Sequence, residues 1–270
     1  MKSENEIVLD KDWVSLYRVG GVAALLAVCV FRRFLGPELM LFSGMGLPGL
    51  PATMPISAAG WFTVLQNNLL VDLTLLGFFD LVEYTLVGLI FLAVAAAFWR
   101  TSRTVLLLAT LSALTGITLT FASNQAFALF ALSRHYAAAT TAVERNALLS
   151  AGEALLAEGN PGVLLQGTGT FAGLFLVLMA DLMISMVMLH RKVFGRWTAA
   201  AGIVANVSAL TYFLVIPLSP ARLAVPFVIS APLRMIWYFM TALKFFQLGR
   251  MRSADPAIKE YEENQYGEKI

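Results

Sequence analysis

"GFFDLVEYTLVGLIFLAVAAAFWRTSRTVLLLATLSALTGITLTF", residues 77–121, holds two apolar runs joined by the basic turn "WRTSR" at 99–103. A bilayer-spanning helix needs about 20 mostly apolar residues, and the runs 69–99 and 104–132 each exceed that length. Lys and Arg gather on the cytoplasmic side of short membrane loops, so the pair forms a helical hairpin with its turn inside. Outward from this hairpin the same pattern recurs at 13–33, 170–190, 197–217 and 224–247. The sequence therefore predicts an all-α fold, a polytopic membrane helix bundle of six transmembrane helices. A second basic turn, "HRKVFGR" at 190–196, agrees with the first in side. With both termini cytoplasmic, 13 of the 19 basic residues fall inside.

Composition supports this class. Of 270 residues, 59% are hydrophobic and 13% charged, where a soluble domain carries roughly 25% charged residues. A formal net charge of +2, without a basic stripe interleaved with aromatics, argues against nucleic acid. The single cysteine, Cys29, cannot pair within the chain and is expected as a buried, inert thiol. No small-residue cleavage site follows the first apolar run, so that run is taken as a retained helix.

Residues 1–250 are assigned to one transmembrane domain and 251–270 to a charged cytoplasmic tail. Two outer connections are long. The stretch 36–66 is rich in Gly and Pro, which disfavours a spanning helix; it is expected as an interfacial loop with Met, Phe and Trp on the headgroups. In 141–158, Thr141 and Glu144 fit a capping box and the leucines recur with helical period, predicting an outer amphipathic helix.

Helical rise, about 1.5 Å per residue, turns the basic boundaries into a depth scale. Asp181 lies ten residues from Arg191, Asn206 ten from Arg196 and Arg234 ten from Lys244. All three then stand about 15 Å deep, at the midplane of a core about 30 Å thick. Thr115, twelve residues from Arg103, comes close to that level, and Trp237 is deep enough to line a pocket. An uncompensated charge there costs at least about 2.5–3.5 kcal/mol. Pairing Asp181 with Arg234, and giving Asn206 the remaining hydrogen bonds, removes most of that cost. Two readings stay open: an ion pair that fixes helix register, or a polar pocket for a ligand. Pro232 would free a carbonyl for the latter.

The same scale puts Glu83 about 25 Å and Asp80 nearly 30 Å from the inner boundary at Arg100. Both acids then sit at the outer headgroups, on one helical face with Asp72. Arg32 and Arg33, at the outer end of the first helix, are their natural partners. The cluster is either an anchor between two helices or a vestibule for a cation or polar ligand.

Catalytic chemistry finds no footing. His135 and His190 lie at opposite membrane edges, and no metal-binding pair, nucleophile elbow, phosphate loop or dinucleotide fingerprint is present. No catalytic residue, metal or cofactor is assigned, and the balance is against an enzyme. The glycines of "QGTGTFAG" (166–173) and "RVGGVAA" (18–24) are expected to permit close helix packing.

The segments "RNALLSAGEALLAE" (145–158), "RKVFGRWTAAAGIVANV" (191–207) and "SAPLRMIWYFMTALKFF" (230–246) resemble an uncharacterised family of bacterial six-helix membrane proteins. That resemblance implies architecture and an inner-membrane location, and no activity. Three functions are weighed, of which an intramembrane enzyme is the least favoured because a nucleophile or metal set is wanting. In the first, the midplane site binds or passes a small polar solute or lipid. In the second, the protein is a non-catalytic scaffold whose outer loops or tail dock a protein partner. Membrane lipids are partners in either case.

Overall fold

The structure is a computed structural model and describes residues 13–30, 54–66, 76–100, 102–161, 167–191, 193–218 and 225–253. Among them there are helices and no strands: α1 (Val14–Val30), α2 (Ala58–Val64), α3 (Phe78–Phe98), α4 (Arg103–Ser123), α5 (Ala126–Ala138), α6 (Ala142–Glu158), α7 (Thr168–Arg191), α8 (Arg196–Leu218) and α9 (Val225–Ser253). Five stretches are long and apolar enough to cross a membrane: Phe78–Phe98, Arg103–Ala138, Thr168–Arg191, Arg196–Val215 and Val225–Arg250. The α1 helix is apolar over 17 described residues, about 25 Å at the helical rise. By length alone the described crossings are thus five.

Six helices close a ring. The α1 helix packs on α3, α3 on α4, α4 on α7, α7 on α8, α8 on α9, and α9 returns to α1. Every neighbour runs antiparallel, because the basic turns gather at one end. There Arg191 Nε donates to Ser102 Oγ at 3.3 Å. Phe98, Phe194 and Phe245 seal the same end, with centroids 5.6 and 5.2 Å apart. At the opposite end Asn124 Nδ2 donates to Gly77 O at 3.3 Å, and the Ser123 and Thr170 hydroxyls meet at 3.1 Å. Val87, Ile90, Val94, Ile184 and Trp237 fill the interior. Leu107, Leu108, Leu111 and Leu114 of α4 point outward, a contiguous apolar face suited to lipid.

In hydrocarbon, leucine gains little by leaving lipid, so close backbone approach carries helix association. The α4–α7 contact, the most extensive of the ring, is built this way. A Cβ on Gly116 would stand 2.6 Å from the Gly173 carbonyl oxygen, and one on Gly169 would stand 2.7 Å from Ser123 Cβ. In α1, a Cβ on Gly21 would meet the Phe246 ring at 3.0 Å. Both glycine motifs are packing surfaces. Cys29 is exposed on the outside of α1, not buried as expected, because the glycine face of that helix is the one turned inward.

Outside the ring, α2, α5 and α6 form a cap with its own core, in which Trp61, Phe62, Leu129 and Leu156 are buried. This corrects the expectation for 54–66. In place of an interfacial loop, Ser57 caps a short helix by accepting from Gly60 N at 3.3 Å. Trp61 and Phe62 are fully covered by protein, so neither reaches a headgroup. Glu153 Oε1 accepts from Ala58 N at 2.8 Å and pins α2 to α6. Gly152 allows the approach, since a Cβ there would meet Ala58 and Phe62 at 2.8 Å. Residues 36–53 and the tail beyond 253 lie outside the described residues. The start of α6 has Thr141 Oγ1 accepting from Glu144 N at 3.2 Å, and Glu144 Oε2 accepting from Thr140 N at 3.3 Å. The reciprocal bond thus falls one residue before the position a capping box names.

Candidate functional site

Inside the ring, α7, α8 and α9 each contribute one polar side chain to a common point. Arg234 Nη1 donates to Asp181 Oδ2 at 3.1 Å, and Arg234 Nη2 donates to Asn206 Oδ1 at 2.9 Å. The amide of Asn206 is oriented in turn, since its Nδ2 donates to Gly202 O at 2.8 Å. Asp181 and Asn206 are 2% and 3% exposed, and the Arg234 side chain 13%. Arg234 therefore forks across two helices. The α9 helix continues through Pro232, which cannot donate to the carbonyl four residues earlier.

The spacing of these residues brings more polar atoms along. Ser185 lies one turn below Asp181, Gly202 one turn before Asn206, and Trp237 and Thr241 one and two turns beyond Arg234. Ser185 Oγ and Trp237 Nε1 both press against the bare Cα of Gly202, the indole nitrogen standing 2.6 Å from where a Cβ would be. Asp181 Oδ1, Ser185 Oγ, Trp237 Nε1 and Thr241 Oγ1 are buried without a hydrogen-bond partner. A carboxylate oxygen, an N–H donor and two hydroxyls are thus left unsatisfied on adjoining turns of α7 and α9.

Thr115 does not join them. It is exposed on the outside of α4, while Ala113, Gly116, Ile117 and Thr120 face inward. Its depth places it near the layer and its azimuth turns it away.

The two acids of α3 separate. Glu83 is 8% exposed and turns into the ring, where Tyr238 donates its hydroxyl to Glu83 Oε1 at 3.3 Å. Tyr238 is one turn from Arg234, so Glu83 belongs to the interior network and not to an outer anchor. The depth scale, counted from Arg100, gave a height and no facing, and the side chain turns inward to meet Tyr238 of α9. Asp80 stays at the cap end and lines a small cleft with Tyr84, Thr120, Asn124 and Thr170. Arg32, Arg33 and Asp72 lie outside the described residues. Tyr238, Ser185, Thr241 and Gly202 were missed from sequence, although each falls four or seven residues from a chosen one.

No known family, curated protein or solved structure matches the chain.

Proposed function

We propose that this is a membrane protein crossing the bilayer six times, with α1 as the sixth span and both termini in the cytoplasm. In this reading it binds or passes a small polar solute at the Asp181–Asn206–Arg234 layer. The resemblance noted above implies a bacterial inner membrane.

One observation carries the reading: the four buried polar atoms around the layer that lack partners. A buried group deprived of its hydrogen bond costs about 1–3 kcal/mol. An ion pair needed only to fix helix register would have no use for an open carboxylate oxygen on Asp181 and an unpaired indole N–H one turn from Arg234. A solute with both donors and acceptors would offset that cost, and Asn206 and Arg234 hold the carboxylate in place for it.

The test uses purified full chain in detergent, with thermal unfolding followed against a panel of amino acids, polyols and small amides. Wild type is expected to gain stability with at least one solute, and the Asp181→Leu/Arg234→Met double variant to lose that response. A response that persists in the double variant would refute the layer as the site.

A scaffold role draws on a different observation. Ile56 and Val143 on the cap are 73% and 81% exposed, and exposed apolar side chains mark contact surfaces when they adjoin. They stand at separate points of the cap, so the solute reading is preferred.

A further inference from the structure

The cleft at the cap end lies apart from the Asp181 layer and has different chemistry. Its volume is about 50 Å³. A water needs roughly 10–15 Å³ by this measure, so an ion with two or three waters fits. The described residues that line it include Asp80, Tyr84 and the polar side chains of Thr120, Ser123, Asn124, Gln125 and Thr170, and none of them is basic.

The hydroxyl protons are already committed. Thr120 Oγ1 donates to Gly116 O at 3.0 Å, and Ser123 Oγ donates to Leu119 O at 2.8 Å. With its own proton so placed, Ser123 receives the Thr170 hydroxyl at 3.1 Å. The Asn124 amide is likewise set: Nδ2 donates to Gly77 O at 3.3 Å, and Oδ1 accepts from Ala126 N at 3.0 Å. Thr120 and Asn124 are therefore left with oxygen lone pairs to offer.

Five helix ends meet at this cleft: the N-terminal ends of α3, α5 and α7 and the C-terminal ends of α4 and α6. Two opposite pairs of end charges, about half a unit each, offset, and the fifth end, the N-terminus of α5, is capped by Asn124 Oδ1, which accepts from Ala126 N. Asp80 carries the one full side-chain charge among the described residues that line the cleft.

We infer that this cleft binds a compact monovalent cation, an alkali or ammonium ion, with Asp80 as counter-charge and Thr120 and Asn124 as neutral oxygen donors. A divalent ion suits it less, because divalent sites recruit several carboxylates and the described residues of this lining supply a single acid.

The experiment is thermal unfolding of the full chain in detergent at constant ionic strength. Chloride salts of sodium, potassium and ammonium are compared with the bulky N-methylglucammonium salt. A saturable rise in unfolding temperature is expected with at least one compact cation and not with the bulky one. Asp80→Asn, which keeps the shape and removes the charge, should abolish that rise. Thr120→Val, which keeps the shape and removes the oxygen, should shift half-saturation to higher salt; it carries the test if Asp80→Asn does not fold. The Asp181→Leu/Arg234→Met variant should keep the cation response, so this inference and the solute reading fail separately. An equal response to N-methylglucammonium, a response surviving in Asp80→Asn, a response to calcium or magnesium alone, or no response would each overturn it.

Discussion

Tyr238 of α9 donates its hydroxyl to Glu83 of α3 at 3.3 Å, and both side chains are covered by protein. The α3 and α9 helices are not neighbours in the ring; both flank α1. The bond therefore crosses the interior and ties two sides of the bundle together. Tyr238→Phe removes the donor and leaves a buried carboxyl oxygen without it. The expected cost is about 1–3 kcal/mol. Glu83→Gln keeps an acceptor for the hydroxyl and should cost less. Chemical unfolding of the two variants in detergent checks the order. Equal losses would mean that the bond contributes little.

Asp181 and Arg234 invite a double-mutant cycle. Breaking a buried pair by removing one partner is expected to cost about 3–5 kcal/mol, because the other charge is stranded, while replacing both with apolar residues can be neutral. Asp181→Leu and Arg234→Met should each destabilise strongly, and their combination should recover most of the loss. Arg234 also donates to Asn206, so Asp181→Leu leaves the guanidinium one partner and should be the milder single change. Unfolding midpoints of the four proteins decide it. Additive losses would show that the charges do not depend on each other.

How far the sequence reaches follows from what its periodicities encode. Counting residues from a basic boundary gives height along a helix. That sufficed to place Asp181, Asn206 and Arg234 in one layer, where the structure joins them. Height alone does not say which way a side chain points. Thr115 shares the approximate level and faces out, and its neighbour Gly116 faces α7. Azimuth needs the packing partner, and the glycines that mark the partner face could have supplied it. Glu83 shows the same limit, since its height from Arg100 suggested the outer edge and its side chain turns into the ring toward Tyr238. The cap shows a second limit. Gly and Pro around 54–66 suggested a loop, yet Ser57 is an N-cap signal, and burial of Trp61 and Phe62 against α5 and α6 makes a seven-residue helix worth forming.

The cap should yield without the ring. Glu153→Ala removes the acceptor at Ala58 N and leaves the first turn of α2 underbonded, a loss of about 1 kcal/mol by analogy with a missing cap. The cap core is separate from the ring core, so the effect should stay local. Limited proteolysis of the variant is expected to cut within 54–66 faster than in wild type, with the global unfolding midpoint nearly unchanged. A midpoint that falls with the protection would show that the cap and ring unfold as one unit.

The glycine stripe offers a sharper failure. A Cβ at Gly173 would meet Gly116 O at 2.6 Å and would also strike Thr120 Oγ1; the first is helix backbone and the second is a short, branched side chain bonded to Gly116 O. Gly173→Leu should therefore push α4 from α7 and cost at least the 1–3 kcal/mol typical of overpacking. Gly88→Ala is the matched control, since a Cβ there would meet only Ile117 Cδ1 at 3.4 Å, an ordinary contact with a side-chain tip.

Water access to the layer can be read with cysteines, because Cys29 is the single native one and Cys29→Ser gives a thiol-free background. Ser185 is fully buried inside the ring and Thr115 is exposed on its outside. Only the thiolate reacts, and a thiol facing lipid stays protonated. If a polar solute reaches the layer, Ser185→Cys should react with a small, charged methanethiosulfonate added to intact proteoliposomes, and Thr115→Cys should not. The solute found to stabilise the protein should slow the reaction at position 185. Were Ser185→Cys inert and Thr115→Cys labelled, the interior would be dry and α4 would present its other face to water, and the layer would be left with the single task of holding three helices in register.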